Sequence, residues 1–173
     1  SAVYVWLIRG TPMLVQAFFV FYAIPQLVKV MTGTAFTLTP FAAGAITLSL
    51  NAGAYISEIF RGGIQAVPKG QTEAARSLGL SSAKTMLRVV LPQAFKIAIP
   101  SLVNQFIITV KDTSILSVIG LAEVVNRAKQ YVGSTYSFFA TYVYVGALYL
   151  VVISLLMVLS RRIEKRMSYD RKG

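Results

Sequence analysis

Few side chains in this chain can do chemistry. Its 173 residues include six acidic and seventeen basic side chains, but no histidine and no cysteine. Imidazole acid–base catalysis, thiolate nucleophiles, disulfides and Cys or His metal ligation are therefore excluded. A Ser–Lys pair stays formally open, although no Gly-x-Ser-x-Gly elbow occurs to present a nucleophile. No Gly-x-x-x-x-Gly-Lys-Ser/Thr loop occurs to cradle nucleotide phosphates either, so ATP chemistry would have to come from another chain. The sequence offers no catalytic residue and no metal site.

What remains suits binding. Asn51, Tyr55, Glu58 and Gly62 recur at helical spacing and share one face. As solute contacts they offer an amide, a phenol and a carboxylate. As a helix interface, Ser49, Ala52 and Gly53 are small enough for close packing, and Asn51 would hydrogen-bond across it. Glu58 likewise has two readings, a partner for the amino group of a solute or an i,i+3 ion pair with Arg61. Lys111 and Asp112 stand side by side before Thr113, and their opposite charges suit the carboxylate and ammonium of a zwitterion. Equally, Lys111 can snorkel while Asp112 caps the segment starting at Thr113.

The elements that must position these residues are membrane helices. Hydrophobic residues make up 55% of the chain and charged ones 13%, with a mean hydropathy of +0.65. The net charge of +11 sits at the ends of apolar runs and is not interleaved with aromatics, which marks topology rather than a nucleic-acid surface. Four spans are expected, near Met13 to Met31, Phe41 to Phe60, Gln93 to Val110 and Tyr136 to Ser160. The third carries Lys96, Pro100, Asn104 and Gln105 and should face protein or a cavity. Ser114 to Val125, apolar but short, reads as re-entrant or interfacial, and Tyr136, Tyr142, Tyr144 and Tyr149 need no ligand. Arg9-Gly10-Thr11-Pro12 reads as structural, with Thr11 capping and Pro12 starting the first span. If the spans alternate, Arg9, the basic residues from Arg61 to Arg88 and the cluster after Ser160 share one side, cytoplasmic by the positive-inside rule.

Between Arg61 and Pro92 the chain turns polar and basic, and Glu73 to Pro92 reads EAARSLGLSSAKTMLRVVLP. Its Ala, Leu, Glu and Arg favour a short helix, Gly79 stops it, and Pro92 opens the next span. This stretch resembles the EAA loop of the inner-membrane permease subunits of ABC importers. Glu73, Ala74, Ala75, Gly79, Val89, Leu91 and Pro92 fill that pattern, with Val89 where the family usually has Ile. Three further stretches narrow the resemblance to the polar amino-acid permeases, which serve histidine, arginine, glutamine and glutamate. They are Ile8 to Pro12, Asn51 to Gln65, and Lys111 to Ser114 with Ile119 to Leu121.

The resemblance implies an all-α polytopic membrane protein. About four transmembrane helices lie in this chain against five in the family, the usual first N-terminal helix being absent here. Residues 1–173 then form one permease domain, with 61–92 as its cytoplasmic coupling loop. The implied function is that of a permease subunit of an ATP-driven importer for polar amino acids, not an enzyme, in the bacterial inner membrane. Gln71, Glu73, Ala74, Ala75 and Gly79 would engage a cytoplasmic ATPase. Asn51, Tyr55, Glu58, Lys111, Asp112 and Thr113 would contact the solute. The chain itself would bind no cofactor, with ATP and Mg held by the ATPase. A second permease subunit, an extracytoplasmic amino-acid-binding protein and the bilayer complete the implied partners, and nucleic acid is not among them. The rival reading is a secondary transporter or channel using Glu58, Lys111 or Asp112 for ion coupling, which leaves the loop motif unexplained.

Overall fold

The computed structural model describes residues 2–169, with side chains as far as Arg162. The basic cluster expected after Ser160 therefore lies largely outside the described side chains. Seven helical elements follow in order: α1 (Ala2–Arg9), α2 (Met13–Thr32), α3 (Pro40–Gln65), α4 (Lys69–Ser77), α5 (Ser82–Ile119), α6 (Val124–Thr135) and α7 (Phe138–Tyr169). No strand occurs among the described residues. Residues 2–54 with 107–157 form one compact unit, and 55–106 with 158–169 form a second.

Among the described residues, three helices are long and apolar enough to cross a membrane: Met13–Thr32, Ser82–Ile119 and Phe138–Arg162. The span expected from Phe41 to Phe60 does form, as α3. Its 26 residues reach about 39 Å at 1.5 Å per residue. However, α3 falls outside that set of three, because Thr47, Ser49, Asn51, Ser57 and Glu58 dilute its apolar character. Thr47 offsets its own burial by donating to the Ala43 carbonyl at 2.8 Å.

Two prolines explain two irregular turns. Phe19–Ala23 in α2 and Met86–Val90 in α5 are π-helical, and Pro25 and Pro92 each follow two residues later. A proline ring collides with the carbonyl four residues back, here Phe21 and Arg88, each the middle residue of its π-turn. The wider turn accommodates the ring without ending the helix. Pro92 consequently does not open a span, contrary to the sequence expectation. That helix already begins at Ser82 behind Ser81, whose Oγ accepts the Lys84 N–H at 3.5 Å. Because α3 also runs on to Gln65, the polar interruption is shorter than the sequence implied.

The apolar stretch from Ser114 to Val125 is not a separate segment. Thr113–Ile119 continues α5 as 3-10 turns, and Gly120 ends them at φ +81. Glu123 then caps α6, its carboxylate accepting the Val125 and Asn126 N–H groups at 2.8 and 2.5 Å. The core of the first unit gathers Ala17, Val20, Ala43, Leu116 and Ile119. Close approach requires glycine beside it, since a β carbon on Gly44 would stand 2.8 Å from Leu116 Cδ1. Val67, Val90 and Ala94 form the core of the second unit.

Candidate functional site: the coupling loop and the polar solute residues

The loop motif lies in the second unit. Helix α4 ends in a Schellman motif: the Leu80 N–H reaches the Ala75 carbonyl at 3.2 Å, the Gly79 N–H reaches Arg76 at 3.0 Å, and Gly79 takes φ +82. Glycine meets that left-handed requirement without a side-chain penalty. Both ends of α4 are tied to α5. The Arg76 guanidinium donates to Ser82 Oγ across the Gly79 turn, and Gln93 Nε2 bridges Gln71 Oε1 at 3.3 Å and the Val89 carbonyl at 2.9 Å. A short helix that would be marginal alone is thereby held in place.

The five motif residues divide by direction. Gln71, Glu73, Ala74 and Gly79 are exposed, whereas Ala75 is buried and anchors the helix. Sequence reasoning missed Leu78, a large apolar side chain left 84% exposed at the helix C-cap. The available signal was an aliphatic residue directly before the terminating glycine, where no further helical turn can cover it. Ser81 and Lys84 stand at the Ser-x-x-Lys spacing of a nucleophile and its base, but the serine hydroxyl serves as the N-cap.

Beneath α4, a cleft of about 400 Å³ is lined by Val67, Lys69, Arg76, Thr85, Met86 and Val90, among others. Thr85 is 2% exposed there and its Oγ1 has no hydrogen-bond partner. Also in this unit, Glu58 takes two hydrogen bonds from Arg61, at 3.0 Å from Nε and 2.5 Å from Nη2. The Glu58 hydrogen bond and its charge raise the Arg61 pKa further above its ordinary value. The i,i+3 ion pair foreseen for Glu58 is present. Tyr55 is half-buried.

Asn51, Lys111, Asp112 and Thr113 belong to the first unit. Asn51, 8% exposed, donates from Nδ2 to Gln16 Oε1 at 3.1 Å. Close by, Tyr4 Oη donates to the Leu50 carbonyl at 2.5 Å and would meet a β carbon on Gly53 at 3.0 Å. Of the small-residue interface foreseen around Asn51, the cross-helix hydrogen bond of Asn51 and the close approach at Gly53 are present, whereas Ser49 is exposed. Thr11 does not cap α2: its hydroxyl donates back to the Leu7 carbonyl at 2.8 Å, and the N-cap position falls to Pro12.

Asp112 gives no side-chain cap to the turns that follow, so the capping alternative for it is not realised. Instead the Thr113 and Ser114 hydroxyls close the α-helical part of α5, donating to the Val110 and Lys111 carbonyls, both at 2.7 Å. Lys111 is exposed and Asp112 half-buried. Tyr149 of α7 stands near Thr113, Ser114 and Glu123, and with Lys111 and Ser114 it lines a cleft of about 450 Å³. This role was not legible, because the only sequence signal was a tyrosine in an uncharged span. No cluster of acidic residues that could hold a metal ion occurs among the described residues.

Comparison with known proteins covers nearly the whole chain. Residues 1–169 match the family described as the binding-protein-dependent transport system inner membrane component. The L-cystine transport system permease protein TcyB of Bacillus subtilis is 42% identical over 96% of this chain and 68% of its own length. The arginine permease protein ArtQ of the same organism is 38% identical, covering 95% of this chain and 72% of that protein. The glutamine permease protein GlnP of Escherichia coli K12 is also 38% identical, covering 96% and 74%. Among solved structures, an amino acid ABC transporter crystallised with histidines superposes with a TM-score of 0.88 at 39% identity, over 95% of this chain and 74% of that one.

Proposed function

We propose, for a chain that belongs to the inner-membrane components of binding-protein-dependent transport systems, a solute, a docking element and an orientation. The chain is a permease subunit of an ABC importer and not an enzyme. Its solute is a polar amino acid, in keeping with the relatives named for cystine, arginine and glutamine. Lys111 engages the carboxylate, Asp112 and Asn51 the ammonium, and Thr113 adds a hydrogen bond. Glu58 is left to Arg61, since its carboxylate already accepts two hydrogen bonds. The family match favours the importer over the intrinsic-coupling rival.

Helix α4 is the part that takes up the force of ATP hydrolysis, with ATP and Mg held by a partner ATPase. One observation carries this reading: a helix too short to stand alone is tied at both ends to α5, while Gln71, Glu73, Ala74 and the apolar Leu78 stay open to a partner. Leu78 supplies the buried anchor that polar neighbours cannot. The loop and the C-terminus face the cytoplasm, a second permease subunit completes the solute path, and an extracytoplasmic binding protein delivers the amino acid. The test is Leu78→Asp in the reconstituted importer. Solute-stimulated ATPase activity should fall at least about tenfold, the cost of losing one interface anchor, while the subunit still inserts in the membrane. Unchanged coupling would reject α4 as the docking element.

A further inference from the structure

The break between α1 and α2 leaves two backbone carbonyls without helical donors. Pro12 occupies the position four residues after Ile8 and has no N–H, so the Ile8 carbonyl is orphaned. The Val15 N–H turns to the Pro12 carbonyl at 3.0 Å, which orphans Thr11 as well. The side chain of Gln16 satisfies both. Its Nε2 lies 2.7 Å from the Ile8 oxygen, 3.0 Å from the Thr11 oxygen and 2.9 Å from Thr11 Oγ1. The Thr11 hydroxyl has already spent its hydrogen on Leu7, so it too is an acceptor here.

Three acceptors around one atom fix which end of the Gln16 amide carries the nitrogen. Its oxygen must then face Asn51, and only the Asn51 nitrogen can answer it, at 3.1 Å. Asn51 Oδ1 is therefore turned away from Gln16, and it takes no hydrogen bond from any described residue. We propose that Gln16 is a positioning residue that sets the polarity of Asn51, holding its carbonyl oxygen as an acceptor for the α-ammonium of the transported amino acid. The inference rests on Asn51 being a solute contact and adds what that contact selects: a donor at the α carbon, and hence an amino acid over its α-keto counterpart.

The experiment uses the complete permease–ATPase complex in lipid nanodiscs, without the binding protein, which would mask the permease's own selectivity. Radiolabelled L-arginine and L-glutamine are displaced by the same amino acids and by their α-keto acids. Wild type should prefer the amino acid by about tenfold or more, the scale of one hydrogen bond to a charged group. Asn51→Leu should weaken that preference, leaving the share that Asp112 contributes. Gln16→Lys keeps donors on the Ile8 and Thr11 oxygens but presents no acceptor, so Asn51 turns its oxygen inward and amino-acid affinity falls about tenfold or more.

The double variant separates orientation from the added charge. Acting through Asn51, Gln16→Lys has no further effect in the Asn51→Leu background, whereas a through-space charge effect persists there and overturns the proposal. Wild-type affinity in Gln16→Lys together with a weakened Asn51→Leu also overturns it, leaving the solute contact standing. No change in Asn51→Leu rejects that contact and the proposal with it. Should Gln16→Lys not assemble, the wild-type preference and its reduction in Asn51→Leu still decide: a wild type that accepts both solute forms equally overturns the assignment.

Discussion

Gly63 of α3 faces the Ala94 carbonyl of α5 so closely that a β carbon would stand 2.8 Å from that oxygen and 3.3 Å from Ala98 Cβ. Backbone, unlike a flexible side-chain tip, cannot yield cheaply there. The two helices bracket the coupling loop, and their approach is stiffened nearby by the Phe60 and Phe95 rings, stacked at 6.1 Å. Gly63→Ala should therefore destabilise this unit by about 1–3 kcal/mol through overpacking. The check is a lower thermal midpoint for the detergent-purified complex, and an unchanged midpoint contradicts the packing.

Gly79→Ala places a side chain at φ +82. Left-handed backbone costs a non-glycine residue about 1 kcal/mol or more, and the Schellman bonds to Ala75 and Arg76 depend on it. The expected result is a weaker ATPase stimulation by solute-loaded binding protein, with basal assembly retained. Full stimulation would mean that the helix end is not part of the coupling path.

Glu58→Gln removes the ion pair with Arg61 but keeps a hydrogen-bonding side chain. Because Arg61 is largely exposed, solvent screens the loss. Amino-acid affinity and selectivity should stay within about twofold of wild type, below one hydrogen bond's worth. A large drop in affinity for cationic amino acids alone would return Glu58 to the solute path.

Thr85→Val replaces a buried hydroxyl without a partner by a methyl group of similar shape. Removing an unsatisfied buried group should stabilise by about 1 kcal/mol, read as a higher thermal midpoint. A clear loss of stability would show that the hydroxyl is satisfied in the assembled complex, through water or a partner group at the cleft.

The boundaries of the loop were harder to read than its existence. Pro92 looked like a helix start, because proline inside a helix normally costs about 3 kcal/mol. The π-turn that absorbs it has no sequence signature, and it moved the start of α5 back to Ser82. Gly79 was legible because left-handed backbone is a local demand that one residue type meets best. Ala75 and Leu78 were not: the first turns inward and the second outward, a distinction made by the helices against which α4 packs.

The sequence alone determined the class of this protein. Absent His and Cys remove most chemistry, apolar runs demand a bilayer, and the Glu73 to Pro92, Asn51 to Gln65 and Lys111 to Ser114 stretches resemble those of amino-acid importers. Such properties depend on composition and on neighbours along the chain. Only the tertiary structure decided what each polar residue is bound to. Asn51 answers Gln16 because Pro12 and the interruption between α1 and α2 leave Gln16 one allowed orientation, whereas the Glu58–Arg61 pair, one helical turn apart, was already legible from spacing. Hydrogen-bond partners far apart in sequence depend on which helix faces meet, and no local pattern specifies that pairing.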